Sequence, residues 1–181
     1  MNIKEIITEE VVAEYWTTGR GTTKQGIDMG DMIKSQVELV NTPLTQLNVR
    51  YSPFSNSAKI HEYYLYDKET DKCVGYFFVE MQNKKFDKVL KPGISAVIPH
   101  IGLALRVQGK GIASQIYTTF LRGGPWVFVT ESHSNAAAAL WDRIATGDII
   151  EVYVDAKTEK RIENSKSVID YRMIGPKDRF L

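Results

Sequence analysis

The chain has 181 residues, a length that suits one domain with a sizeable core. Its net charge of +1 and 43% apolar content give no argument for nucleic acid or an anionic membrane surface. The one cysteine, Cys73, excludes a disulfide framework within the chain, no apolar run is long enough to span a bilayer, and residues 1–5 lack a signal-peptide core; together these suggest a reducing cytoplasm.

In chain order, Thr8 can cap a helix through Val11, Val12, Tyr15 and Trp16. Residues 17–26 are polar and glycine-containing and read as a loop. From Asp28 to Val40, the spacing of Met29, Met32, Ile33 and Val37 predicts a second helix. Residues 41–57 hold Pro43 and Pro53 and read as irregular, with a short strand at Leu47 to Tyr51. Lys59 to Tyr66 is an aromatic-rich strand, and Cys73 to Glu80 returns after a polar turn, which makes a hairpin. Residues 81–93, with Lys84, Lys85, Lys88 and Lys91, read as a solvated loop. Ser95 to Leu105 is a strand. A helix from Ile112 carries Ile116, Tyr117, Phe120 and Leu121, and Trp126 to Thr130 is the next strand. Ala136 to Ala145 is helical and carries Leu140 and Trp141. Ile149 to Val154 and Val168 to Met173 have strand character, and Lys157 to Lys166 forms a hairpin tip. The mixture is α+β or α/β, with a mostly antiparallel sheet and helices on its faces.

The stretch that carries chemistry is Gln108-Gly109-Lys110-Gly111-Ile112-Ala113. A strand running into a glycine turn and a helix start aims several N–H groups at one point, where the helix dipole favours an anion. The spacing is neither that of a Walker loop nor that of a dinucleotide fingerprint. Tight strand-to-helix packing is a competing reason for the glycines. Gln108, Gly111 and Ala113 match the Gln/Arg-x-x-Gly-x-Gly/Ala loop, and the segment resembles the pyrophosphate loop of the GNAT superfamily of N-acetyltransferases. The resemblance covers residues 59–173 and is most specific from Ile101 to Leu140. It implies a single domain over 1–181, with a divergent helical part at 1–57. It also implies a GNAT fold: a mixed, twisted sheet whose parallel fourth and fifth strands splay apart.

What the resemblance implies for function is acetyl transfer from acetyl-CoA to an amine, directly and without an acyl-enzyme. The backbone of Leu103, Ala104 and Leu105 is then expected to pair with the pantetheine amides. Gly109, Lys110, Gly111, Ile112 and Ala113 offer N–H groups to the diphosphate. Arg106 and Lys110 can add charge near the 3′-phosphate, and Gln108 belongs to the loop. Ser134 or Asn135 occupies the register of the family's asparagine after the fifth strand. Trp141 stands where many members have a tyrosine, which puts the general acid in doubt, although its ring can still pack against the coenzyme arm. The base candidates are Glu131, Glu80 and His100, groups able to take an ammonium proton. Glu131 is favoured, provided partial burial beside Trp126 or Trp141 raises its pKa. No spacing of His or Cys matches zinc, so no metal is expected. The acceptor, a small molecule or a protein, cannot be read, and a homodimer is allowed. Two other readings stay open: a GNAT-fold protein that has lost catalysis and binds a macromolecule, and a loop that holds another phosphate ligand.

Overall fold

The computed structural model describes residues 38–40, 47–52, 60–104, 107–131, 135–163 and 170–181. Among the described residues nine strands follow in order: β1 Glu38–Val40, β2 Leu47–Ser52, β3 Ile60–Asp67, β4 Cys73–Met81, β5 Ser95–Leu103, β6 Trp126–Thr130, β7 Ile149–Val154, β8 Arg161–Ile162 and β9 Tyr171–Pro176. Two helices, α1 Ile112–Gly123 and α2 Asn135–Ile144, flank β6 in the chain. The strands order as β1-β2-β3-β4-β5-β6-β9-β7-β8. The chain groups into two compact units. Of the described residues, the first holds those up to Val79 together with those from His100 to Ile112; the second holds those from Glu80 to Pro99 and from Ala113 to Leu181.

In the first unit β1 and β2 are antiparallel, with Leu39 opposite Arg50, and β2 runs antiparallel to β3, with Val49 opposite Leu65. The turn from β3 to β4 is closed by the Asp67 N–H donating to Lys72 C=O at 3.0 Å. The Asp67 carboxylate accepts from the Glu69 and Thr70 N–H groups, each at 2.9 Å. Every residue of β4 from Cys73 to Phe77 is buried, as a strand covered on both faces requires. Ala104 N–H donates to Val74 C=O in this unit, and Gln82 N–H to Ala96 C=O in the other. The numbers run in opposite senses, so β4 and β5 are antiparallel.

In the second unit β5 and β6 are parallel, pairing Ser95 with Trp126, Ala96 with Val127 and Val97 with Phe128. The ladder stops there. Continued in register it would set Pro99 against Thr130, and proline has no N–H to give. β6 carries on with β9 instead, through Thr130 opposite Arg172. β9 pairs antiparallel with β7 along six residues, from Ile149 opposite Pro176 to Val154 opposite Tyr171. The period of two along β6 divides this unit into layers. Phe128 sits among Tyr117, Phe120 and Trp141, with ring centroids 4.9, 5.7 and 6.5 Å away, and so meets both helices. Val127 and Val129 join a cluster with Phe86, Val89, Leu90, Met173 and Phe180.

Three expectations need correction. The helix drawn to Val40 does not include Glu38–Val40, which is a strand; the apolar spacing that suggested it ends at Val37, and beyond that point the ladder to β2 satisfies the backbone. Residues 28–37 and the helix capped at Thr8 lie outside the described residues. The segment 81–93 is not simply solvated. Phe86, Val89 and Leu90 are buried, and one helical turn puts them on one side, with Val89 and Leu90 N–H both donating to Phe86 C=O. Its lysines hold the β7–β8 turn: Lys84 Nζ donates to Ala156 C=O at 3.1 Å and lies 3.3 Å from Glu159, and Lys88 Nζ donates to Thr158 C=O. The last long strand ends at Pro176 rather than Met173, and β8 lies within the proposed hairpin tip.

Candidate functional site

The loop after β5 is built by anchoring its two ends and leaving its middle clear. Ala104 and Val107 are buried, and Val107 N–H donates to Ala104 C=O at 3.0 Å. Gln108 turns its side-chain amide back and donates from Nε2 to Leu103 C=O at 2.7 Å, so it fastens the loop to the strand end. Ile112, buried, fixes the start of α1. Between these anchors Gly109 and Lys110 are exposed. Leu105 and Arg106 lie outside the described residues.

Gly109 and Gly111 have φ of +72° and +76°, the left-handed region that side chains disfavour. A Cβ built on either meets nothing within 4 Å. Tight packing is therefore not the reason for these glycines. At Gly102 it is, because a Cβ there would lie 2.6 Å from the Tyr76 ring. The space over Gly109 and Gly111 is open. Among the described residues no backbone carbonyl takes the N–H of Lys110, Gly111, Ile112 or Ala113. The first turn of α1 has no acidic residue to compete for them. Among the described residues, this is a helix start with unpaired backbone donors, positive dipole and open room, which fits a phosphate group.

The other residues singled out by sequence fall as follows. Glu131 directly follows β6 and is exposed, without the partial burial beside Trp126 or Trp141 that favoured it. Glu80, in β4, and His100, in β5, are half-buried; the first belongs to the second unit and the second to the first. Asn135 opens α2, and Ser134 lies outside the described residues. Trp141 is 1% exposed. Its ring packs near Phe128 and under the Arg172 guanidinium, 5.7 Å from the ring centre, so the indole belongs to the core rather than to an open arm-binding surface. Sequence reasoning missed Arg172 itself, which pairs with Glu151 and lies 2.5 Å from Asp142. Its signal was an arginine in one strand and a glutamate in the strand it pairs with. Among the described residues no three His, Cys, Asp or Glu side chains gather into a metal-binding group. No helix among them is long and apolar enough to cross a membrane.

No protein-family model matches the sequence, and no curated protein matches it. Two solved chimeras of the Vibrio cholerae spermidine N-acetyltransferase SpeG with hSSAT are similar in structure. One is 13% identical over 67% of this chain and 69% of its own, with a TM-score of 0.40. The other is 10% identical over 98% and 93%, with a TM-score of 0.43. RimL, a ribosomal-protein alpha-N-acetyltransferase in complex with coenzyme A, is 14% identical over 84% and 69%, with a TM-score of 0.37. Scores of this size do not fix a fold. What decides is the chain itself: an antiparallel run into β5, a glycine loop opening α1, and a parallel β6 followed by α2 and an antiparallel β7–β9 pair. This order of elements is the one that the resemblance to the GNAT superfamily implies.

Proposed function

We propose that this chain is an acetyl-CoA-dependent N-acetyltransferase acting by direct transfer to an amine. The observation that carries the reading is the pair Gly109 and Gly111: left-handed, at a helix start, with nothing over them. Acetyl-CoA supplies an activated acetyl thioester. The N–H groups of Lys110 to Ala113 hold the diphosphate, and Lys110 adds charge beside it. The backbone of β5 beyond Pro99 takes the pantetheine amides, and Gln108 positions the loop through Leu103. Transfer forms one C–N bond and breaks one C–S bond. The ammonium proton passes to a base, and the thiolate leaving group takes a proton from solvent, because Trp141 has no acidic hydrogen to offer. Glu131, Glu80 and His100 remain the candidates for the base. The setting is cytoplasmic. The acceptor is an amine on a small molecule or a protein.

Titration calorimetry with acetyl-CoA tests the coenzyme reading. Gly111→Glu sets a carboxylate where the diphosphate belongs, and is expected to abolish binding in a folded protein. Unchanged affinity in a folded variant overturns the loop assignment. Incubating host-cell lysate with labelled acetyl-CoA and the protein, then reading mass spectra, identifies the acceptor. A second reading, a GNAT-fold protein that has lost catalysis and binds a macromolecule, is favoured by the burial of Trp141 where a tyrosine acid stands in many members. It predicts coenzyme binding, or none, with no labelled product.

A further inference from the structure

A depression of about 670 Å³ lies in the second unit, bounded by Lys91, Arg122, Asp148, Lys177, Asp178 and Arg179. Arg122 lies in the last turn of α1, about 13 Å along that helix from Ala113 in its first turn, so the depression is separate from the glycine loop. Its size is that of a small-molecule site.

The charges within it do not cancel. Arg122 and Asp148 neutralise each other at 2.7 Å. The hydrogen bond between them raises the Arg122 pKa and lowers that of Asp148. Lys91, Lys177 and Arg179 then face only Asp178, which leaves two positive charges. Arg179 gives one guanidinium N–H to Trp126 C=O, and among the described residues no carboxylate receives the others. Burial pushes its pKa down, and the charge of neighbouring Asp178 offsets this only in part.

The frame is also held in place. Lys91 N–H donates to Arg179 C=O at 3.0 Å, and Lys177 N–H donates to Asp148 C=O at 2.7 Å. Three separate stretches of chain are thereby tied backbone to backbone, so the frame that carries the cations is fixed before any ligand arrives. That removes the backbone part of the ordering cost of binding.

We propose that this depression binds a phosphate monoester of sugar-phosphate or nucleotide size, its dianion set between Lys91, Lys177 and Arg179. Two unmatched positive charges fit a dianion, and a guanidinium with free parallel donors fits two phosphoryl oxygens. The volume beyond the charged end takes the body of the molecule. The site is independent of the proposed acetyl transfer.

The test is titration calorimetry of glucose 6-phosphate, AMP and inorganic phosphate into the full chain and into Gly111→Glu, which closes the glycine loop to phosphate; coenzyme A is left out because its own 3′-phosphate is a monoester. At least one monoester is expected to bind saturably, and equally to both proteins. Lys91→Gln and Lys177→Gln, both at exposed positions, should each weaken it about tenfold, as loss of one charge-assisted contact does. Their melting temperatures serve as the folding control. Three results overturn the proposal: no saturable binding of a monoester, binding abolished in folded Gly111→Glu, or affinities unchanged in both folded lysine variants. Inorganic phosphate binding as tightly as the monoesters overturns the assigned size class.

Discussion

Arg172 on β9 forms an ion pair with Glu151 on β7, one diagonal step out of register in a ladder that sets Arg172 opposite Tyr153. Both side chains are largely buried, at 14% and 20% exposed, and Asp142 of α2 closes on the same guanidinium. Removing one partner leaves the other charged and buried. Arg172→Met is therefore expected to cost about 3 kcal/mol in urea unfolding, and Arg172→Met with Glu151→Leu to recover most of it. Equal losses in the single and double variants would show that packing on Trp141, not charge, is what Arg172 supplies.

Gly111→Ala isolates backbone strain from bulk. With φ at +76° and open space around it, the added methyl meets no atom but forces an unfavourable conformation. A loss of about 1 kcal/mol in thermal or urea unfolding is expected. If the backbone relaxes instead, stability holds and coenzyme affinity falls. No change in either quantity would mean that the left-handed turn is not needed.

The base can be found by pH–rate profiles of Glu131→Gln, Glu80→Gln and His100→Gln. The expected outcome is that one variant loses the acidic limb and much of its neutral-pH rate, while its affinity for acetyl-CoA is retained. Glu131 enters this test without the burial that had favoured it. Three wild-type profiles in a protein that still binds coenzyme would favour the non-catalytic reading.

Acid should loosen the β7–β8 turn. The Asp155 carboxylate accepts from Thr158 N–H at 2.5 Å and Lys157 N–H at 3.0 Å, and these bonds, Thr158 foremost, hold its pKa below the usual aspartate range. A depressed folded pKa gives stability that is complete above the unfolded value and lost as pH falls through the folded one. Hydrogen exchange at residues 155–160 should therefore speed up below the ordinary aspartate pKa. Asp155→Asn keeps an acceptor and should flatten that dependence; an unchanged acid response would exclude Asp155 as its source.

The sequence exposed those elements whose pattern is local. The aromatic β3, the returning β4 and the run from Trp126 to Thr130 announce themselves by composition, and the glycine loop by spacing. Other features depended on partners distant in the chain. Glu38–Val40 becomes a strand only because β2 lies beside it. The spacing of Phe86, Val89 and Leu90 was hidden among lysines whose partners sit on the β7–β8 turn. In α2, Ala136 to Ala139 provide little apolar contrast, so the sequence did not tell which side faces the sheet, and the burial of Trp141 with Ile144 was not visible. Glu131 comes after its strand has ended, where alternation no longer sets direction. Gly109 and Gly111 were legible as glycines, but only the structure separates open space from close packing.

The three-residue β5–β6 ladder also bears on the order in which the chain folds. A parallel pair cannot close through a tight turn and needs a crossover. Here the crossover holds the glycine loop and α1. Its closure entropy must be met before the ladder returns any hydrogen-bond energy, whereas the hairpin turns at Asp67 and Asp155 close over a few residues. Pulsed hydrogen exchange during refolding should thus protect β3 and β4 ahead of Val127 and Phe128. The loop is then among the last parts to mature, and a molecule that grips it clasps a seam only three residues long.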